Sequence, residues 1–278
     1  MIDEVVVVRH GRTSYNLARR MQGQIDIPLD IVGQWQADQT AYALASRYYW
    51  AKASHMAAHP ELVAQPGPEA PVCASVDEYR ECPAAGRTMR IVCSDLFRAR
   101  RTAEAIAAPL GLQVEPDPRL RERSFGRWEG MTRAEIREMD RAAYDSWKAR
   151  TGGELAYGVE PREHVGARGM GALEDYVRAS ADDDAPSTLM VVSHGSWITC
   201  TIQAMLGVRD MAGFGGMRNA FWCRLTPRAG AGDGSRMRMR WDLEEYNQGP
   251  AIAATCDWEN GPEYLRNPSM PGWRPIGA

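Results

Sequence analysis

Short apolar segments between longer helical patterns place the strongest constraint on how this chain folds. They are residues 5–8 (VVVV), 90–93 (RIVC), 189–192 (LMVV) and 220–225 (AFWCRL). Such runs, without alternation of apolar and polar side chains, indicate strands buried on both faces. Helical spacing covers residues 33–52, 98–109, 132–149, 161–181 and 195–206. The alternation predicts an α/β fold, a three-layer α/β/α sandwich with a mostly parallel central sheet.

Proline content and patterning predict how the chain is divided. Residues 237–243 (MRMRWDL) alternate apolar with polar side chains, which is typical of a half-exposed edge strand. Residues 54–89 are proline-rich with little periodicity, which predicts a surface insertion. We expect a single domain over residues 1–246, followed by an irregular tail, 247–278, that packs back through Trp258 and Trp273.

Charge and hydropathy narrow the classes of partner and compartment. The 33 basic and 36 acidic residues give a net charge of −3, which provides no positive field for nucleic acid. The first eight residues combine acidic side chains with an apolar run of four, too short for an export signal or a membrane span. The six cysteines, none in a CxxC pair, indicate free thiols. These features predict a cytoplasmic protein without a membrane partner; the sequence does not indicate an oligomeric state.

The first chemically distinctive segment directly follows the first predicted strand. Arg9, His10 and Gly11 stand at the carboxyl end of that strand, where open α/β sheets bind ligands. Two flanking arginines, Arg9 and Arg12, disfavour the imidazolium form of His10 and leave a lone pair available for attack. Gly11 is interpreted as leaving room for a ligand. The alternative interpretation of the same tripeptide is a surface histidine in a basic turn.

Three further segments carry groups suited to phosphate chemistry. Arg98 follows the second strand at a helix start, where a guanidinium and free backbone N–H groups bind anions, whereas Arg100 and Arg101 are also explained as solvated residues. His194 and Gly195 repeat the strand–His–Gly arrangement, so both histidines are expected at one crevice. The carboxyl group of Glu122, in a loop rich in arginine, is suited to proton transfer; a salt-bridged loop glutamate is the alternative.

Taken together, these segments resemble the histidine phosphatase superfamily in its phosphoglycerate mutase-like branch. The similarity covers roughly residues 3–226 and excludes the insertion and the tail. Its most specific part is the opening, residues 9–16 (RHGRTSYN), 22–29 (QGQIDIPL) and 33–37 (GQWQA), and the other segments follow in the family's order.

The resemblance implies a phosphomonoesterase that hydrolyses a small phosphorylated metabolite through a phosphohistidine. His10 would attack phosphorus, and Glu122 would protonate the leaving oxygen and then activate water. Arg9, Arg98 and His194 would hold the phosphoryl oxygens. The substrate pocket would also include Gly11, Asn16, Gln22, Gly23 and Gly195. No cofactor and no metal is required by this scheme, because the side chains supply the positive charge.

Two alternative functions stay open from the sequence. Mutases of this family carry adjacent arginines between the segments of Glu122 and His194, but the comparable stretch here, 147–150, reads WKAR, which favours a phosphatase. The second alternative is a non-catalytic protein that binds a phosphorylated ligand. His55 and His59 have the spacing of two zinc ligands but lack a third at a suitable position, so we predict no metal site there.

Overall fold

A six-stranded sheet forms the centre of the protein. The computed structural model describes residues 1–63, 67–69, 76–81, 86–208, 214–228 and 239–266. The strands of these residues are β1 (Ile2–Arg9), β2 (Thr88–Cys93), β3 (Val114–Pro116), β4 (Ser187–Ser193), β5 (Trp222–Arg228) and β6 (Arg240–Gln248), in the order β3-β2-β4-β1-β5-β6. The first four in this order are parallel, and β5 and β6 are antiparallel to their neighbours. The predicted mostly parallel sheet is confirmed.

Helices cover both faces of the sheet. They are α1 (Ser14–Leu17), α2 (Ile31–Arg47), α3 (Tyr49–Ala58), α4 (Val76–Arg80), α5 (Phe97–Leu110), α6 (Arg133–Met139), α7 (Arg141–Ala149), α8 (Arg162–Ala179) and α9 (Gly195–Leu206). On β1, Val6 and Val8 belong to the core that includes α2, α3 and α5, whereas Val5 and Val7 belong to the core with α8 and α9. Burial of both faces explains the continuous apolar runs and confirms the predicted three-layer architecture.

A third, smaller core lies outside the two main layers of side chains. It contains Phe125, Trp128, Ile136, Ala143, Trp147 and Val159, which bring α6, α7 and the neighbouring loops together. The Trp128 ring packs edge-on against Trp147, with centroids 5.7 Å apart. This core holds the segment that follows Glu122.

Two predicted helices are each interrupted in the structure. The stretch 33–52 divides at Tyr48, whose backbone leaves the helical conformation while its ring is buried in the core of α2 and α5. The stretch 132–149 divides at Asp140, whose carboxylate accepts from Ala143 N at the start of α7 and from the Tyr157 hydroxyl. In both places a side-chain interaction replaces the continuous helix that the periodicity predicts.

The predicted bounds of several other segments are wrong. Strand β3 was not predicted, since it has three residues and ends in proline. Strand β6 extends to Gln248, so the proposed boundary between residues 246 and 247 falls inside it; residues 237 and 238 lie outside the described part. The stretch 54–89 is not wholly irregular, because α3 continues to Ala58, α4 occupies Val76–Arg80, and β2 begins at Thr88.

The described residues after β6, 249–266, pack against the body of the protein. Trp258 is 1% exposed, and its ring lies 5.1 Å from Trp35 and 5.6 Å from Phe221. Two short 3-10 helices, Ala251–Ala254 and Glu263–Leu265, interrupt the predicted irregular structure. Trp273 lies outside the described residues.

Two composition-based expectations concern thiols and membranes. Among the described cysteines, Cys93, Cys200, Cys223 and Cys256 are free thiols, and Cys73 and Cys82 fall outside the described residues. Of the helices that the structure describes, none has both the length and the hydropathy needed to cross a bilayer.

Candidate active site

The two histidines that follow β1 and β4 lie side by side. Arg9 and Ser193 are register partners at the ends of these neighbouring parallel strands. The next residues are His10 and His194, whose ring centroids are 5.1 Å apart. Both imidazoles are buried, with 2% and 0% exposed. The strand register therefore brings together two residues that are 184 positions apart in the chain.

The hydrogen bonding of His10 leaves one nitrogen with a free lone pair. Its Nδ1 lies 2.7 Å from the carbonyl oxygen of Gly11, and a carbonyl only accepts, so Nδ1 carries the proton. Nε2 is then the basic nitrogen. Burial, followed by the charges of Arg98 and Arg9, holds the pKa of His10 well below its ordinary value of 6.5. The ring is therefore neutral at pH 7 and suited to nucleophilic attack.

The neighbouring imidazole of His194 has the opposite arrangement. Arg98 Nε donates to His194 Nδ1 at 3.2 Å, so the proton of a neutral ring sits on Nε2. That Nε2 is buried without a hydrogen-bond partner in the described part of the chain. Burial, Arg98 and His10 hold the pKa of His194 well below 6.5. His194 thus offers an N–H donor without being charged.

Two guanidinium groups lie beside the imidazoles, that of Arg98 fully buried and that of Arg9 half-buried. Arg98 is fully buried and donates to the carbonyl oxygens of Ile25 and Gly23 at 2.9 and 2.8 Å. Burial lowers the pKa of Arg98 to about 10, so the group stays cationic at pH 7. Arg9 donates through Nη1 to Met217 O, its Nε is buried without a partner in the described residues, and burial lowers its pKa. This region therefore favours an anion.

The helix α9 holds the carboxylate of Glu122 next to His194. Glu122 Oε1 accepts from the backbone N–H of Arg123 and of Trp197, and Oε2 accepts from Ser196 N, at 2.8, 2.9 and 3.2 Å. Ser196 and Trp197 belong to the first turn of α9, whose N–H groups have no partner within the helix. The carboxyl group is thereby fixed at the same end of the sheet as the two histidines.

The polar side chains of the loop after β1 are oriented by neighbours. Gln22 Oε1 accepts from the Thr13 hydroxyl at 2.9 Å, and Asn16 Oδ1 accepts from Asn219 Nδ2 at 3.3 Å. With both oxygens engaged as acceptors, the amide nitrogens of Asn16 and Gln22 are the ends suited to donate. Gly23 has a positive φ of +54°, and its carbonyl oxygen accepts a hydrogen bond from Arg98.

Two glycines of the predicted site lie close to neighbouring groups. A Cβ at Gly11 would lie 2.2 Å from the carbonyl oxygen of Gly33, so Gly11 permits close approach to α2. The missing side chain of Gly11 therefore leaves room for the backbone of α2, and the interpretation that it leaves room for a ligand is wrong. A Cβ at Gly195 would lie 3.3 Å from Arg9 Nε, which places Gly195 directly against one of the site cations.

The sequence interpretation missed the residues that support the His10 loop. Buried Asn219 donates from Nδ2 to the His10 carbonyl oxygen at 3.0 Å. Arg12, 2% exposed, is paired with Asp30 at 2.8 Å and does not contribute to the anion site through a free guanidinium. The proximity of Arg12 to His10 in the sequence gave no sign of this partner, and nothing near Asn219 in the sequence signals its contact.

The other predicted groups lie at the surface. Arg100 and Arg101 pair with Glu104, in agreement with solvated helix residues. His55 and His59 have ring centroids 4.5 Å apart, and His59 Nδ1 lies 3.0 Å from Glu61. Within the described ranges, no three His, Cys, Asp or Glu side chains form a group that could hold a metal ion.

An α/β sheet that presents a neutral imidazole next to the cations Arg9 and Arg98 is suited to phosphoryl transfer. The chain belongs to the histidine phosphatase superfamily (branch 1), whose family model matches residues 5–54 and 80–238. The predicted family is confirmed, and the chain is a phosphatase of this superfamily.

Curated and structural relatives agree with this family. The chain is 31% identical to glucosyl-3-phosphoglycerate phosphatase of Mycolicibacterium vanbaalenii over 91% of this chain and 97% of that protein. It is 29% identical to a probable phosphoglycerate mutase of Yersinia enterocolitica over 74% of this chain and 75% of that protein. The native structure of a mycobacterial glucosyl-3-phosphoglycerate phosphatase matches with a TM-score of 0.64 and 29% identity, over 89% of this chain and all of that one.

Proposed function

We propose that this phosphatase hydrolyses a glycosylated phosphoglycerate, with His10 as the residue that accepts the phosphoryl group. The observation that carries the role of His10 is the pair of complementary tautomers: His10 has its lone pair on Nε2, and His194 has its proton on Nε2. The substrate class is supported by the relative named glucosyl-3-phosphoglycerate phosphatase. A nucleophile and an uncharged donor therefore lie together within a buried cationic region. This arrangement suits the attack of nitrogen on a phosphorus atom whose oxygens are held by donors.

The reaction divides into two transfers. In the first, His10 Nε2 bonds to phosphorus, the phosphorus–oxygen bond of the ester breaks, and Glu122 gives a proton to the leaving oxygen. In the second, Glu122 takes a proton from water, the water oxygen bonds to phosphorus, and the phosphorus–nitrogen bond breaks. Arg9, Arg98 and His194 bind the non-bridging oxygens in both steps. The bond from His10 Nδ1 to Gly11 O stabilises the charge that develops on the ring.

Pocket residues complete the proposed binding of the phosphoryl group. Asn16 and Gln22 donate from their amide nitrogens, because their oxygens are already engaged. The backbone at Gly11, Gly23 and Gly195 forms the walls against which the phosphoryl group rests. No metal and no cofactor takes part in this scheme, since guanidinium and imidazole groups supply the positive charge.

Hydrolysis is favoured over mutase transfer by the segment 147–150. Trp147 is buried in the third core, and Lys148 and Arg150 are exposed on either side of Ala149. This segment does not present two adjacent arginines. The match to a curated phosphatase also extends over more of the chain than the match to a probable mutase. The proposed setting is the cytoplasm, with a small-molecule phosphate ester as partner, and neither nucleic acid nor a membrane.

A panel of phosphate monoesters tests the proposed substrate class. We expect kcat/KM for glucosyl-3-phosphoglycerate to exceed that for 3-phosphoglycerate and for p-nitrophenyl phosphate by about tenfold or more, because the larger ester adds binding contacts used in the transition state. Equal values would contradict the substrate class while leaving the phosphatase reaction in place. Accumulation of a phosphoglycerate isomer would favour the mutase.

The non-catalytic alternative is tested by His10→Ala. We expect p-nitrophenyl phosphate hydrolysis by the wild type and a loss of about 10³-fold or more in the variant, because the covalent route is removed. Equal inactivity of both proteins between about pH 5 and 8, the range in which histidine changes charge, would support a binding protein instead.

A further inference from the structure

A short turn after β6 lies behind the loop that carries His10. We name residues 257–261 the C-terminal clasp. Within it, Asp257 accepts from Asn260 N at 3.2 Å and from Asn260 Nδ2 at 2.9 Å, and Gly261 N donates to Asp257 O at 2.8 Å. These local bonds make the turn a defined structure. The clasp follows the last residue matched by the family model, residue 238.

One set of hydrogen bonds joins the clasp to the backbone just after His10. Arg12 Nη1 donates to Glu259 O at 2.7 Å. Gln36, fully buried in α2, accepts from Arg12 N at 2.8 Å and donates to Trp258 O at 2.7 Å. Arg12 is therefore tied to the clasp through its side chain and, by way of Gln36, through its main chain.

A second set reaches His10 itself. The Trp258 indole N–H donates to Asn219 O at 2.9 Å. Asn219 Nδ2 in turn donates to the carbonyl oxygen of His10 at 3.0 Å and to Asn16 Oδ1 at 3.3 Å. Ala220 N donates to the carbonyl oxygens of both Arg9 and His10. Trp258 thus fixes the backbone at Asn219. Asn219 and Ala220 in turn hold the backbone of His10 by hydrogen bonds.

We propose that the C-terminal clasp positions the nucleophile: Trp258 and Gln36 are positioning residues that set the place of His10 and the orientation of Asn16. Neither residue touches the reacting atoms, so both act through Asn219 or Arg12. Buried hydrogen bonds of this kind fix atoms closely, and a shift of about 1 Å in a reacting group costs about 10²-fold in rate. The inference rests on the proposed role of His10.

Trp258→Phe tests the clasp, with Trp35→Phe as the matched control. Both variants replace one indole of the Trp35–Trp258 pair by a smaller phenyl ring, but only Trp258→Phe removes the N–H donated to Asn219. With p-nitrophenyl phosphate we expect kcat to fall about tenfold in Trp258→Phe, with KM changed less than twofold, and to stay within twofold of wild type in Trp35→Phe. Vanadate, which adopts the geometry of the transferring phosphoryl group, should bind about tenfold more weakly to Trp258→Phe alone.

A second variant reaches the clasp from the other side. Gln36→Glu keeps the acceptor for Arg12 N and the side-chain size, and it removes the N–H donated to Trp258 O. We expect the same loss of kcat in a protein that stays folded by circular dichroism at 25 °C. The proposal is overturned if kcat and vanadate affinity of Trp258→Phe match those of Trp35→Phe, or if the variants unfold instead of losing turnover. A wild type without any hydrolysis would contradict the proposed function, and vanadate affinity would then still report on the clasp.

Discussion

The chemistry of the site depends on which nitrogen of each histidine carries the proton. A backbone carbonyl, Gly11 O, keeps the proton of His10 on Nδ1, and a guanidinium, Arg98 Nε, keeps the proton of His194 away from Nδ1. Neither imidazole has to be charged, because the positive charge comes from Arg9 and Arg98. Burial favours the neutral form of both rings, because a charged imidazolium would have to be placed in a region of low dielectric constant.

Arg98→Lys tests the link between the guanidinium and the His194 tautomer. Lysine keeps the charge but loses the planar set of N–H groups that bonds His194, Gly23 and Ile25 together. We expect kcat/KM for p-nitrophenyl phosphate to fall about 10²-fold. Arg101→Lys, an exposed change on the same helix, is the control and should leave kcat/KM unchanged. Equal activity of both variants would show that charge alone suffices at position 98.

The lowered pKa values of His10 and His194 make stability depend on pH. Below pH 6.5 the unfolded chain binds protons that the folded rings do not, so the free energy of unfolding falls as pH decreases. Each imidazole contributes at most about 1.4 kcal/mol per pH unit. Urea unfolding between pH 7 and 5 should show a shallower slope in His194→Gln than in wild type, whereas exposed His164→Gln should match wild type. A free energy of unfolding that stays constant or increases as the pH is lowered from 7 to 5 would contradict the assignment of neutral rings.

At the scale of elements, the sequence predicted which strand ends meet at the site more accurately than it predicted where the helices begin and end. His10 and His194 were predicted to meet because both follow continuous apolar runs, and parallel strands end at one edge. The break at Tyr48 was not predictable, because it depends on burial of the Tyr48 ring in the core. The break at Asp140 has a local signal, because Asp140 caps Ala143 N, although its bond to Tyr157 is a tertiary contact. The role of Asn219 depends on how the chain returns before β5, which no local pattern records.

Two glycines of α8 give a matched pair of predictions. A Cβ at Gly171 would meet nothing within 4 Å, so Gly171→Ala should raise the free energy of unfolding by about 0.5–1 kcal/mol through helix propensity. A Cβ at Gly169 would lie 1.9 Å from Thr201 Oγ1 on α9, so Gly169→Ala should lower it by about 1–3 kcal/mol. Urea unfolding measures both values. Stabilisation by both changes would mean that α8 and α9 do not pack as closely as the structure shows.

At the scale of the molecule, the site lies where the main layers and the third core meet. Glu122 bonds to α9, and the next residue, Arg123, forms a buried ion pair of 2.9 Å with Glu154. The third core and this ion pair keep the long segment between Glu122 and α8 against the sheet. The clasp supports the site from the opposite direction, through Arg12 and Asn219.

Removing one partner of the buried Arg123–Glu154 pair is expected to destabilise the fold much more than removing both. Arg123→Met leaves the carboxylate of Glu154 buried without its partner, so we expect the free energy of unfolding to fall by about 3–5 kcal/mol. The double variant Arg123→Met with Glu154→Leu removes both charges and should recover most of that loss. Urea unfolding decides the question, and equal stability of the single variant and wild type would contradict a buried pair.

The most direct measurement is the trapping of the phosphorylated enzyme. Rapid mixing of substrate with Glu122→Gln, followed by an alkaline quench that preserves phosphohistidine, allows peptide mapping by mass spectrometry. We predict one phosphate on the His10 imidazole, a slower loss of it than in the wild type, and none in His10→Gln. Turnover without phosphate on His10, or phosphate on another residue, would contradict His10 as the nucleophile.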